Sequence, residues 1–177
     1  MKTIKEKEAN TFTTLKEKLG YKNTMQAPKL VKVVLSIGTG KMTDKKRKEF
    51  VATQLTKIAG QKASVKAAKK SIATFKLRQG DSVGLQVTLR GARMRDFLEK
   101  LIHVALPRTR DFRGLKATAI DAMGNMTIGI KEHNIFPETA EDDIKDVFGL
   151  AITVVTTSKK KEDTKAFLEY LGFPFAK

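Results

Sequence analysis

Residues 84–106 read GLQVTLRGARMRDFLEKLIHVAL, and two periodicities meet in them. Up to Leu89 the apolar residues alternate. Leu85, Val87 and Leu89 take one side and Gln86, Thr88 and Arg90 the other, as in a strand with one covered face. From Ala92 the spacing becomes helical: Met94, Phe97, Leu98, Leu101, Ile102 and Ala105 share one stripe, and Pro107 ends it. A half-covered strand running straight into an amphipathic helix predicts helices laid on one side of a sheet whose other side stays polar.

The rest of the chain extends this plan in both directions. Residues 3–19 are predicted as a helix with Phe12, Leu15 and Leu19 on one side, closed by Gly20. LVKVVLSIGTG (30–40) reads as a strand in which Val31, Val33, Leu35 and Ile37 alternate with Lys32, Val34, Ser36 and Gly38. Residues 44–59 form a helix with Phe50, Val51, Leu55 and Ile58 inward and Gly60 as its stop. Two short extended pieces follow, near 62–66 and 71–76, and then a turn at Gln79-Gly80-Asp81. Beyond Pro107 lie a strand at NMTIGIK (125–131), another at LAITVVTT (150–157), and a last helix capped by Ser158. Phe167, Tyr170 and Leu171 pack that helix, Gly172 stops it, and Pro174 stands beyond. The fold class is α+β, a mostly antiparallel sheet with helices packed on one face. With no repeat, low-complexity tract or linker-like break, residues 1–177 read as a single domain.

Charge narrows the function. The chain carries 35 Lys and Arg against 19 Asp and Glu, a formal net charge of +16 on 177 residues. Residues 1–50 hold 13 basic and 5 acidic side chains and residues 51–100 hold 11 and 3, so the first hundred residues supply the whole excess. A polyanion is the partner such a surface fits. There is no cysteine, which excludes disulfides, zinc–thiolate sites and cysteine nucleophiles and suits a reducing compartment. The opening MKTIKEKEANTF lacks the apolar core of a signal peptide, and no run reaches the length of a membrane span, so the chain reads as soluble and cytoplasmic.

Catalytic chemistry needs converging groups, and the inventory is thin. His103 sits on the flank of the best helix and His133 in a loop after a strand; both read as surface or flank residues. Glu141, Asp142, Asp143 and Asp146 read as a helix start complementing its dipole rather than as a magnesium site. Gly38-Thr39-Gly40-Lys41 resembles the end of a phosphate-binding loop, yet Val34 stands four before Gly38 and Met42 follows Lys41, so the motif fails. Its glycines either let backbone approach a partner closely or turn the chain. No cofactor and no metal is expected.

Between Lys62 and Arg95 lie nine basic residues, Lys62, Lys66, Lys69, Lys70, Lys76, Arg78, Arg90, Arg93 and Arg95, against Asp81 alone. They can neutralise a track of phosphates, a contact that is salt-dependent and carries little sequence information. Ser36, Gln61, Gln86 and Thr88 add neutral hydrogen-bonding groups suited to 2′-hydroxyls and base edges in a shallow minor groove. Phe75 either stacks on an unpaired base or anchors its loop to the core. No helix-turn-helix, zinc finger or heptad-bearing basic helix appears, which favours RNA over DNA. Arg108, Arg110 and Arg113 in PRTRDFRG (107–114) continue the basic surface or brace their loop through Asp111. The acidic stretch with Glu132, Glu138, Glu141, Asp142, Asp143 and Asp146 avoids RNA and is either ordinary solvated surface or a face for a basic protein.

Several ordered blocks also carry a resemblance. Tyr21-Lys22-Asn23, Met25-Gln26, Gly60-Gln61-Lys62, AKKSIATFKLRQG from Ala68, VTLRG from Val87, ALPRTRDFRG from Ala105, GIKE from Gly129, IFPE from Ile135 and the closing LGFPFAK resemble the bacterial large-subunit ribosomal protein family numbered five, over nearly the whole chain. The resemblance implies a structural protein of the ribosomal central protuberance that binds 5S rRNA with its sheet face, touches 23S rRNA and meets neighbouring central-protuberance proteins. It implies 5S contacts at Ser36, Gln61 and Thr88, with Lys62 and Arg90 beside them. A loop matching residues 70–82 is implied to reach P-site tRNA through Lys70, Phe75, Lys76 and Arg78. A bridge to a small-subunit head protein is implied, with the loop and acidic region after Arg110 as its candidate. Arg93, Arg95, Arg108, Arg110 and Arg113 are further candidates for rRNA or for that bridge.

This chain departs from the family pattern at three places. LSIGTG stands for LNMGVG, so Ser36 replaces an amide that both donates and accepts. ATFK stands for AGFK, and Thr74 in place of glycine predicts that this backbone position is not left-handed. DAMGNM stands for DGRGNY, and Met123 and Met126 take no RNA contact. The rival classes are a free-standing RNA chaperone and an RNA-processing enzyme. The first predicts weak preference among RNAs, and the second requires a convergent carboxylate pair or a cofactor pocket.

Overall fold

The computed structural model describes residues 3–40, 42, 44–140 and 147–176. In chain order its elements are α1 (Ile4–Ala9), α2 (Thr11–Leu19), β1 (Leu30–Gly38), α3 (Lys45–Ala59), β2 (Ser64–Ala67), β3 (Ser82–Leu89), α4 (Gly91–Lys100), β4 (Met126–Ile130), β5 (Leu150–Thr156) and α5 (Lys161–Leu171). The strands form one antiparallel sheet in the order β2-β3-β1-β5-β4, the α+β plan read from the sequence. The chain divides into two compact units, one of residues 1–33, 89–128 and 153–177, the other of 34–88 and 129–152. Both are discontinuous in sequence.

The first unit is helical apart from strand ends. Ile4, Leu15, Met94, Leu98, Leu101, Phe167, Leu168 and Leu171 are buried among α1, α2, α4 and α5. The single helix expected over 3–19 is two. At Asn10 (φ −91°, ψ 3°) the side chain donates to the Glu6 carbonyl, competing with the backbone for its acceptor and ending α1. The helix expected over 92–106 loses its α pitch after Lys100, where a wide turn lets the Leu106 N–H reach the Leu101 carbonyl at 2.9 Å. Ser158 does not cap α5: Lys160 takes that place, while the Ser158 hydroxyl donates to the Lys160 carbonyl at 3.2 Å.

In this unit the C-terminal segment is clasped to the chain after Gly114. Leu115 N–H donates to Pro174 O at 2.7 Å and Ala176 N–H to Leu115 O at 2.9 Å. Gly114 has φ +94°, and a Cβ there would lie 2.6 Å from the Ala176 nitrogen.

The second unit packs α3 through Val51, Leu55 and Ile58. Its strands alternate as expected: Leu35, Ile37, Leu85, Val87, Ile130 and Ile152 are buried, while Ser36, Gln86 and Thr88 stay half-exposed. His133 overturns its surface assignment. It is wholly buried, stacked on Phe148 with ring centroids 3.9 Å apart, and its Nδ1 accepts the Phe148 N–H at 3.4 Å. A flat ring with one acceptor nitrogen fits where a loop returns its N–H groups to the core. This histidine has no periodic neighbours along the chain from which burial could be read.

Candidate nucleic-acid interface

In the second unit β1 and β3 are neighbours, so Ser36, Gln86 and Thr88 occupy the uncovered face of adjacent strands. Gln61 follows the left-handed Gly60 that ends α3, and its Nε2 donates to the Thr88 carbonyl at 3.5 Å. The fold thus brings Gln61 and Thr88, separated by 27 residues, into one hydrogen-bonded pair. Lys62 is exposed directly after them. In the first unit Arg90 is exposed at the start of α4, and its guanidinium donates to the Val31 carbonyl at 3.4 Å. In the second unit, neutral donors and acceptors on a half-exposed sheet face beside Lys62 can read the shape of RNA while neutralising its backbone.

Residues 68–81 connect β2 to β3 and hold themselves in shape. Ala68 N–H donates to Asp81 O at 2.8 Å and Gly80 N–H to Ala68 O at 3.0 Å. Ile72 and Leu77 exchange two backbone bonds, of 2.9 and 3.1 Å. The extended piece expected over 71–76 is therefore a tight turn, with Ala73–Phe75 as one 3-10 turn and Lys76 left-handed at φ 50°. Asp81 Oδ2 accepts the Arg78 N–H at 2.8 Å, so the single acid of the basic stretch serves the backbone. Thr74 is not left-handed, as its replacement of glycine implies; the strained position is Lys76 instead. Lys70, Lys76 and Arg78 are exposed, and Phe75 is 75% exposed, which removes the reading of it as an anchor to the core.

The remaining candidates separate. Arg93 is exposed on α4, whereas Arg95 pairs with Glu8 at 2.9 Å in a partly buried bridge and braces α1. Glu8 also accepts the Leu30 N–H at 3.2 Å, and the pairing of Glu8 with Arg95, 87 residues apart, has no local signal in the sequence. Arg108, Arg110 and Arg113 are candidates on one loop. Arg108 and Arg113 flank an exposed Asp111 with φ 53°. His103 is exposed. The acidic run 141–146 and Lys41 lie outside the described residues. Among the described residues no three His, Asp or Glu side chains are grouped to hold a metal, and no helix is long and apolar enough to cross a membrane.

Among the described residues two side chains titrate away from their ordinary values, both in the first unit. Burial, reinforced by charge repulsion from and a hydrogen bond to Asp163, pushes the Tyr21 phenol up to about 12. The Asp121 carboxyl is held below the usual range by hydrogen bonds from the Asn125 backbone and side chain, with the Met123 N–H adding to them.

The sequence profile of ribosomal protein L5 matches residues 23–78, and the profile of the C-terminal part of that ribosomal family matches residues 82–175. The chain belongs to the ribosomal protein L5 family. Relatives of this ribosomal protein L5 family member are similar from end to end. The large ribosomal subunit protein uL5 of Thermoanaerobacter sp. is 48% identical over 179 residues, covering 100% of each chain. That of Oenococcus oeni is 51% identical over 98% of each, and that of Mesoplasma florum 50% identical over 91% of this chain and 90% of its own. Membership in the L5 family makes the chain a structural protein of the large ribosomal subunit, not an enzyme.

Proposed function

We propose that this protein holds 5S rRNA within the large subunit through the open sheet face of its second unit, with Ser36, Gln61, Lys62 and Thr88 as the contacts there; Arg90, in the first unit, is a separate contact. The observation that carries the reading is the bond from Gln61 to the Thr88 backbone carbonyl on a half-exposed polar face, because it orients the Gln61 amide beside the Thr88 hydroxyl before RNA arrives. The 68–81 hairpin, cationic and aromatic at its tip, is the segment that reaches P-site tRNA, with Lys70, Lys76 and Arg78 on phosphates and Phe75 on a sugar or base. Arg93, Arg108, Arg110 and Arg113 meet 23S rRNA or the small-subunit head protein, and neighbouring central-protuberance proteins complete the partners.

The test is equilibrium binding of purified protein to 5S rRNA and to a size-matched unrelated structured RNA, each at two salt concentrations. Preference for 5S rRNA that persists at the higher salt supports shape recognition by the sheet. Equal binding to both, vanishing together with salt, leaves a bare electrostatic surface and returns the chaperone reading.

A further inference from the structure

In the second unit the sheet ends at β2, which pairs with β3 on one side and, among the described residues, with no strand on the other. Its four residues, Ser64–Ala67, are all exposed. An edge strand leaves its outward N–H and C=O groups open to another extended chain. No described backbone bond outside the sheet ladder takes up those of β2.

The side chains fix what kind of chain fits there. Val65 stands opposite Leu85 and therefore on the same side of the sheet, yet Leu85 is 4% exposed and Val65 60%, so the apolar layer stops one strand short of the edge. Ser64 and Lys66 stand opposite Gln86 and Gly84 on the polar side. Lys62, Lys66, Lys69 and Lys70 are exposed, and no acid lies between Gln61 and Gly80. Lysines and irregular pairing are also devices that keep edge strands of like molecules apart, and β2 has both, with its register shifting between Lys66 and Ala67. A second copy of this chain brings the same lysines and a net charge of +16, so it is repelled. An acidic strand is drawn in by the same charge.

We infer that β2 is a docking edge for a protein partner that presents an acidic, extended segment. The segment adds to the five-stranded sheet beside β2, with an apolar residue next to Val65 and a carboxylate next to Lys66. RNA can meet the lysines, but its backbone has no amide ladder to match the edge. This contact lies outside the sheet-face reading and does not depend on it.

The probe is the peptide acetyl-Glu-Val-Glu-Val-Glu-Val-Glu-amide, titrated into the full chain. Two controls keep its charge and side chains, one N-methylated at the valines and the other at the glutamates. Alternate residues of a strand face its neighbour, so one of the two loses its edge donors and binds about tenfold more weakly. Amide exchange over residues 64–67 slows when the unmethylated peptide is bound. Lys66→Glu, a change at an exposed position, melts as the parent does and weakens peptide binding about tenfold, whereas Lys116→Glu, the same charge change at an exposed site in the first unit, leaves it nearly unchanged. Equal binding of the peptide and both controls reduces the contact to charge attraction and overturns the inference. So does an RNA duplex of unrelated sequence that slows exchange over 64–67 where the peptide does not, which would assign the edge to RNA.

Discussion

Two irregular segments of this protein are both fixed by backbone hydrogen bonds, yet they do opposite work. The 68–81 hairpin closes on itself, and its bonds join residues of the same loop. The clasp at 114–116 and 174–176 joins segments some sixty residues apart, over the buried Leu115 and Phe173. A segment that satisfies its own polar groups can carry exposed cations and an exposed phenylalanine without burdening the core. One that ties distant chain together cannot change without loosening what it ties.

The comparison breaks most visibly at Gly114. Gly114→Ala combines a left-handed backbone with a Cβ collision against the Ala176 backbone, so it should cost about 2–4 kcal/mol and lower the Tm by more than about 5 °C. A thermal melt within a degree of the parent would show that the clasp yields. On the hairpin, Asp81→Ala removes the acceptor for Arg78 N–H and should cost about 1 kcal/mol or less, locally. Amide exchange should quicken over residues 71–80 while the α3 amides keep their protection; a uniform loss would mean that the hairpin is coupled to the core after all.

The clasped unit should also carry an alkaline limit. The Tyr21 phenol is raised from 10.0 to about 12, so the folded state holds its proton more tightly than the unfolded one. That contribution is fully present below pH 10 and is lost as pH rises toward 12. With two tyrosines and no tryptophan, ultraviolet titration should show a late component that disappears in Tyr21→Phe. The smallest stability effect belongs to the hairpin tip. Lys76→Gln and Arg78→Gln should each shift stability by less than about 0.5 kcal/mol and leave 5S rRNA affinity nearly unchanged while impairing P-site function. A large loss of 5S binding in either variant would merge the two proposed roles.

What is legible in the sequence follows the same division. Alternation in β1, β3, β4 and β5 marks the covered face, and Gly20, Gly60 and Gly172 mark helix ends that are left-handed in the fold. Such signals are local and repeat within a few residues. The hairpin tip escapes them because its apolar Ile72 and Phe75 suggest a strand, while the turn is made by the left-handed Lys76, which no residue preference announces. The Arg95–Glu8 bridge, buried His133 and the clasp depend on residues brought together from far along the chain. Of the candidate site, the cations and the polar face are readable; the bond between Gln61 and Thr88 is not.

The interleaving of the two units sets an order in time. The first unit draws on residues 1–33, 89–128 and 153–177, so during synthesis its opening helices wait for partners made last. Until then Ile4 and Leu15 lack α5, and Leu115 lacks the Pro174 carbonyl. The residues of the second unit end at 152, so its sequence is complete sooner. A nascent chain paused before residue 153 therefore carries a basic hairpin that has already closed on itself and helices that have not found their core, a state open to aggregation and to early capture by RNA alike.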